Sequence, residues 1–288
     1  MDMFKQISLI TNSGANEVAD TLNTVIEFLQ QRNIGIELDE CCARIARSKD
    51  LPVASADKLG ANSDLAIAIG GDGTMLKAAH LVCGHGIPLL GINRGHLGFL
   101  ADIPADSFQQ HLDEILKGHY AEDERFLLYC EVHRDENLTC VKYAFNDVVV
   151  QKWDVAKLIE LYTYVDGTFV HRQRSDGMIV SSPTGSTAYA LSGGGPILYP
   201  TLDALVLVPI CPHSLTNRPI VIKGNSRVEI VVSSDDVHHA QLTCDGDIAM
   251  ELESGDRVIV EKKNQTIRLI HPANHDHFSI LRAKLRWG

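Results

Sequence analysis

One carboxylate, Asp72, stands among glycines in the stretch "DLAIAIGGDGTMLKAAH" (64–80), directly after a run of apolar residues. Gly70, Gly71 and Gly73 remove Cβ atoms and permit φ > 0, so backbone amides can turn inward there. The helix expected to follow adds its positive N-terminal dipole, which favours an anion. A loop of this kind suits phosphate groups approaching the backbone, with one acid left to handle a proton. It is not the dinucleotide fingerprint, because the third glycine of G-x-G-x-x-G would fall at Leu76, and no G-x-x-x-x-G-K-[ST] occurs. A plain helix N-cap also uses Asp. A cap does not require three surrounding glycines, so the ligand-site reading is preferred.

Three further stretches carry candidate chemistry. "GINRGHLGFL" (91–100) closes the next strand in a second glycine-studded turn. Ligands of open parallel sheets gather at the carboxyl ends of strands, so both loops could line one crevice; taken alone, it reads as an ordinary loop with Phe99 in the core. "FNDVVV" sets Asn146 and Asp147 before an apolar strand, which by itself is compatible with a turn or bulge. "RSDGMIVSSPTGSTAYALSGGGPI" (174–197) holds seven Ser or Thr residues, five of them between 181 and 187, and a single Tyr. So few bulky side chains cannot form a core, and the stretch suits a loop and helix start wrapped around a polar ligand. Neither H-E-x-x-H nor G-x-S-x-G occurs. The histidines of "HPANHDH" (271–277) have spacing that could bind a metal, but an exposed solvated turn is expected there. "HH" at 238–239 reads as surface loop, and Trp153 and Trp287 as packing residues.

The elements that must position these residues fall into two patterns. The first third alternates strands ("QISLIT", "IGIEL", "LAIAIG", "IPLLGIN") with helices, one of them carrying Val18, Leu22, Val25, Ile26 and Leu29 at helical spacing. Another is amphipathic through Phe108, Leu112, Ile115 and Leu116, with Gly118 as its C-cap. Such alternation implies βαβ units and a parallel sheet. From "RFLLYCEVHR" onward come short β-rich runs separated by "DG" and "GN" turns, with one helix expected over "TGSTAYALSGG". The division expected is an α/β domain over 1–122 and a β-rich domain over 123–288.

Composition sets the remaining bounds. At 288 residues, 45% hydrophobic and 22% charged, the chain is an ordinary globular protein. A net charge of −11, from 37 acids against 26 Lys and Arg, argues against a nucleic-acid partner but not against a phosphate-bearing small molecule. No apolar run approaches the ~20 residues that span a bilayer, and "MDMFKQ" lacks a secretory n-region. Seven cysteines suggest no disulfide framework or zinc site. A cytoplasmic protein with reduced thiols is expected.

Taken together, "GGDGTML" (70–76), "GINRGHLGFL", "FNDVVV" and above all "DGMIVSSPTGSTAYALSGGGPI", followed by "RPIVI" (218–222) and "CDGD" (244–247), resemble the NAD kinase family over most of the chain. "GGDG" is shared with phosphofructokinases and with lipid kinases; "PTGSTAY" with an upstream Asn-acid pair is far more specific. The resemblance implies a two-domain fold whose tail, about 268–288, packs back on the first domain. It implies transfer of the γ-phosphoryl of ATP, or of polyphosphate, to the 2′-hydroxyl of the adenosine ribose of NAD. A divalent cation, Mg²⁺, would arrive with ATP, no residue being assigned as a metal ligand, and the protein would be a homo-oligomer, dimer or tetramer. Asp72 would be the general base, flanked by Gly71 and Gly73. Asn146 and Asp147 would bind the adenosine and ribose, and Asp176, Thr187, Ala188, Tyr189 and Ser192 would line the dinucleotide pocket, with Phe99 against the adenine. Arg174 and Lys157 would meet phosphates or the nicotinamide side. Two positions depart from the family: Asp147 replaces a Glu, and Asp247 replaces a Gln after Asp-Gly, turning a neutral contact into a charge. The alternatives are a lipid or sugar kinase with the same glycine loop, or a sensor that binds NAD without turnover.

Overall fold

The structure, a computed structural model, describes residues 3–95, 97–153, 157–233 and 240–287. The chain divides into two compact units, 1–124 with 265–288, and 125–264.

The first unit is α/β. Strands β1 (Gln6–Ile10), β2 (Gly35–Leu38), β3 (Leu65–Gly70) and β4 (Leu89–Asn93) run parallel in the order β4-β3-β1-β2, and the short β5 (Ile103–Pro104) pairs with β4. All residues of β3 and β4 are buried, as parallel strands covered on both faces must be. The helices are α1 (Asn16–Gln30), α2 (Glu40–Ile45), α3 (Asp72–Val82) and α4 (Phe108–Leu116). Val18, Leu22, Val25, Ile26 and Leu29 of α1 point into the core, and so do Phe108, Leu112, Ile115 and Leu116 of α4. Gly118, at φ 92°, ends α4 with its N–H on Ile115 O. The short α2 has too few residues to show a period; Asp39 starts it by accepting the Cys42 N–H at 2.7 Å.

The second unit is mostly antiparallel β. Strand β6 (Tyr120–Arg134) enters it and pairs with β7 (Asn137–Ala144), after which come β8 (Asp147–Lys152), β9 (Ile159–Val165), β10 (Thr168–Ser175) and β11 (Gly177–Ser181). A 3₁₀ turn (Thr184–Thr187) and a single α turn, α5 (Tyr189–Ser192), lead to β12 (Ala204–Ile210), β13 (Ile220–Lys223), β14 (Val228–Val232), β15 (Ala240–Cys244) and β16 (Asp247–Leu252). One sheet has the order β13-β12-β11-β8-β15-β16. Strands β10, β9, β14 and the first part of β17 (Arg257–Pro272) follow one another in the other. Val148, Val150, Met178, Val180, Leu205, Ile230 and Val258 share one core. The last part of β17 pairs with β4 in the first unit, and α6 (His277–Leu285) follows, capped by Asp276.

Several expectations are corrected. "DRVIVEK" and "TIRLIH" are one strand, because the polar residues between them keep the extended ladder. "TGSTAYALSGG" is a 3₁₀ turn plus one α turn rather than a helix. Its backbone breaks at Ala188, whose ψ of −129° lies outside any helix. "CVKYAFNDVVVQ" is two strands, β7 and β8, and Asn146 stands in the gap between them. The histidine turn near the C-terminus is not solvated: His271 is only 1% exposed. Trp153 and Trp287 are instead half exposed. His238 and His239 lie outside the described residues. No helix among the described residues is long and apolar enough to cross a membrane.

Candidate active site

Strand β3 delivers Gly70 and Gly71 to the carboxyl edge of the parallel sheet, and α3 begins at Asp72 with Gly71 as its N-cap residue. Gly71 has no side chain with which to cap that helix, and the Asp72 carboxylate stands at its first residue. The carboxylate reaches across to the loop after β4, where Phe99 N–H donates to Oδ2 at 2.9 Å and the Leu100 and Ala101 N–H groups donate to Oδ1 at 3.0 and 3.2 Å. A carboxylate has about four acceptor sites, so three amides hold it as an oriented anion and leave capacity for one more proton donor. Gly98 makes this approach possible: a Cβ there would lie 2.1 Å from Asp72 Oδ1. Gly70 is equally required, at φ 154° and with Thr74 Oγ1 2.2 Å from where its Cβ would be. Gly71 and Gly73 differ. Both are exposed; a Cβ on Gly71 would meet nothing within 4 Å among the described residues, and one on Gly73 only Asn12 at 3.7 Å. Phe99 is half-buried under the Lys284 ammonium, 5.7 Å from the ring centre.

In the second unit, β8 places Asp147, Val149 and Gln151 on one face, as alternation along a strand requires. With Thr243, which pairs with Val149 from β15, and with Asn146, Ala188, Tyr189, Asp245 and Gly246, they line a cleft of about 270 Å³. Asp245 and Gly246 form the two-residue turn between β15 and β16, at φ 52° and 88°. The Asp245 carboxylate accepts the N–H groups of Phe145 and Asn146 at 2.7 Å and of Asp147 at 3.2 Å, fixing the gap before β8. The other side of that gap is held by the Ser/Thr-rich run. Ser181 and Ser182 hydroxyls donate to Asn146 O and Phe145 O at 3.2 and 2.6 Å, and Ser186 donates to Pro183 O at 2.6 Å. Gly185 packs so closely that a Cβ would lie 2.2 Å from Asn146 O. Ser181, Ser182 and Ser186 thus brace the backbone of the cleft wall.

The sequence patterns of two known domains cover most of the chain: the ATP-NAD kinase N-terminal domain matches residues 7–120 and the ATP-NAD kinase C-terminal domain matches residues 145–272. NAD kinases of Pseudomonas putida strains are 45% identical over 288 residues, covering 100% of this chain and 97% of theirs. The chain belongs to the ATP-NAD kinase family. A further relative, the NAD kinase of Pseudomonas entomophila, is 44% identical with the same coverage. Among solved structures, yeast NADH kinase complexed with NADH superposes with a TM-score of 0.87 at 24% identity, over 99% of this chain and 88% of that one. An NAD kinase from Archaeoglobus fulgidus in complex with ATP gives 0.75 at 24%, over 98% of each chain. These two likenesses establish the fold.

Against the family's expected residues, the structure brings Asn146, Asp147, Ala188 and Tyr189 together around the cleft. Asp176 is held by the Lys152 ammonium at 2.7 Å. It also acts on Tyr189, whose phenol pKa is raised first by burial and then by Cys211, Asp176 and Asp147. Thr187 is half-buried and bonds back to Thr184 O, while Ser192, Lys157, Arg174 and Asp247 are exposed and do not line the cleft. The acid at the tip of that hairpin is Asp245, two residues before the family departure at Asp247. Sequence reasoning passed over Asp245, Gln151, Thr243 and Gly98. The alternation Asp147-Val149-Gln151 was the available signal for Gln151, and the Asp-Gly hairpin dipeptide for Asp245.

Asp147 is 4% exposed, and burial followed by the Asp245 charge pushes its carboxyl up to about 7. The unfolded chain ionises at the ordinary carboxylate value. The stability linked to this proton is therefore complete below that value and is lost as pH rises through about 7. Asp147→Asn cannot ionise. Relative to the variant, the wild type should lose on the order of 3–4 kcal/mol between about pH 4 and 8, at ~1.4 kcal/mol per pH unit. Urea denaturation at both pH values measures it; parallel curves for the two proteins would return Asp147 to an ordinary carboxylate.

A resident metal is poorly served. Among the described residues, Asp102, His271 and His275 are the group of three whose ligand atoms lie within 4.8 Å of one another. Both Nδ1 atoms bond to Asp102 Oδ2, at 2.9 and 2.8 Å. Ligands on one tetrahedral ion with ~2.0–2.1 Å bonds stand roughly 3.3 Å apart, and Mg²⁺ prefers oxygen. The group is a hydrogen-bonded node.

Proposed function

We propose that this chain phosphorylates NAD at the 2′-hydroxyl of the adenosine ribose, with ATP or polyphosphate as donor. The observation that carries this reading is the Asp72 carboxylate, held by three amides at the carboxyl edge of a parallel sheet beside two glycines open to the outside. Asp72 accepts the hydroxyl proton as the ribose oxygen bonds to the γ-phosphorus and the bond to the β-phosphate oxygen breaks, releasing ADP and NADP. With polyphosphate, the leaving group is the chain shortened by one phosphate. Catalysis of this kind is mostly positioning and charge stabilisation, which suits an anion oriented before substrate arrives.

Asn146, Asp147, Ala188 and Tyr189 hold part of the dinucleotide. The cleft, about 270 Å³, is near the lower end of the ~300–1,000 Å³ usual for ligand pockets, which suits one end of NAD rather than the whole. Thr187, Asp176 and Ser192 flank it along the chain, Phe99 offers a ring to the adenine, and Arg174 and Lys157 are exposed cations for phosphates. Mg²⁺ enters as the ATP complex, because it dehydrates reluctantly and is commonly held through substrate phosphates. The same reading makes the protein a cytoplasmic homo-oligomer, dimer or tetramer; half-exposed Trp153, Phe169 and Ile248 on the second unit supply apolar surface for it.

Purified protein incubated with NAD, ATP and Mg²⁺ should yield NADP, read with an NADP-specific dehydrogenase. NAD binding without NADP would replace this function with a sensor, and phosphorylation of a lipid or sugar in place of NAD would replace the substrate.

A further inference from the structure

Asp102 follows Ala101 directly, and Ala101 is the last of the three residues whose amides hold Asp72. Its Oδ2 accepts from His271 Nδ1 at 2.9 Å and from His275 Nδ1 at 2.8 Å. These histidines come from the end of β17 and the turn before α6, about 170 residues further along the chain. The two imidazoles stack at 4.0 Å, and the Asp102 and His271 side chains are 6% and 2% exposed. From β6, Asp123 Oδ2 stands 3.7 Å from His271 Nε2.

The electrostatics make this a charged clamp. Burial acts to lower the His271 pKa, but the hydrogen bond to Asp102 and the nearby Asp123 carboxylate outweigh it and raise it to about 9. Burial likewise works against the Asp102 anion, and the two histidine bonds outweigh it, so its pKa is lowered. A buried pair of this kind resists opening, because either partner left alone is an uncompensated charge. The rest of the loop is tied in parallel: Asn93 Nδ2 donates to Ala101 O at 3.0 Å, and Gly98 N–H donates to the same oxygen at 3.2 Å.

We infer that Asp102, His271 and His275 are positioning residues for phosphoryl transfer: they hold the Gly98–Ala101 turn so that its amides orient the Asp72 carboxylate. The inference rests on Asp72 being the base. This role requires no contact between them and substrate. They act by fixing where the last acceptor site of Asp72 points, and a displacement of about 1 Å at such a group can cost roughly 100-fold in rate.

His275, with its side chain 14% exposed, is the member whose change the fold tolerates best. His275→Ala should lower kcat roughly 10-fold to 100-fold with KM for NAD and ATP unchanged. His275→Asn places an amide N–H where Nδ1–H was and should restore kcat to within a few-fold of wild type. In an Asp72→Asn background, His275→Ala should reduce kcat no further, since there is no base left to orient. Thermal melting of each variant accompanies the kinetics. Equal fractional losses in both backgrounds would make the node a general support of the fold and overturn the inference, as would an unchanged kcat or a loss confined to KM. The base assignment fails separately: it would fall if Asp72→Asn alone kept its kcat, whatever His275 does.

Discussion

Asp72→Asn is expected to fold, to bind NAD, and to lose about 10²–10⁴ of kcat, the range typical of general-base catalysis. The substitution keeps the shape and one acceptor oxygen but removes the charge. Its amide nitrogen must face one of the loop N–H groups that now donate at 2.9–3.2 Å. That mismatch costs about 1–3 kcal/mol of stability, too little to unfold a chain with this core. Steady-state kinetics for kcat, titration of NAD for affinity and a thermal melt separate the three effects. A kcat within a few-fold of wild type would reduce Asp72 to an anchor for the loop at 98–101, and the proton would have to leave by another route.

The second large effect is expected at a residue with no part in the chemistry. Asp245→Ala withdraws the acceptor from three backbone N–H groups at once, those of Phe145, Asn146 and Asp147. At ~1–3 kcal/mol for each donor left without a partner, reduced where water can reach, the loss is on the order of 3–5 kcal/mol. Alanine also tolerates φ 52° poorly, whereas Asp and Asn accept it. The start of β8 then loses its register on the cleft, so KM for NAD should rise more than about 10-fold while kcat at saturation changes less. Asp245→Asn, which keeps the turn preference and one acceptor, should fall between the two. Chemical denaturation and NAD saturation curves on the same preparations test this. A variant with wild-type stability would show that the turn holds itself without the three bonds.

Proposed site roles and observed geometry meet most closely where the residue types were unusual for their surroundings. The acid ringed by glycines is a local anomaly that neither a core nor a surface explains; the Asn-acid pair before an apolar strand, compatible by itself with a turn, lines the cleft in the folded chain. The parallel strands of the first unit were legible for a related reason: "LAIAIG" and "IPLLGIN" are apolar throughout, as strands covered on both faces must be. Less legible was the run "SSPTGST". Its composition pointed to a ligand, but the hydroxyls of Ser181, Ser182 and Ser186 turn inward to the carbonyls of Asn146, Phe145 and Pro183. A hydroxyl satisfies a buried carbonyl as readily as a phosphate, and composition cannot tell which.

By itself, then, the sequence determined the family, the change from α/β to β, and the single carboxylate at the end of β3, because each is written in residue types within a short window. Only the tertiary structure decided what surrounds that carboxylate. The amides of 99–101, the absence of a side chain at Gly98, the Asp245 bonds to 145–147 and the clamp of Asp102 by His271 and His275 join residues 26 to 173 positions apart. Periodicity and propensity act over a few turns of chain, whereas hydrogen bonds of buried polar groups are settled by whatever the folded chain brings within about 3 Å.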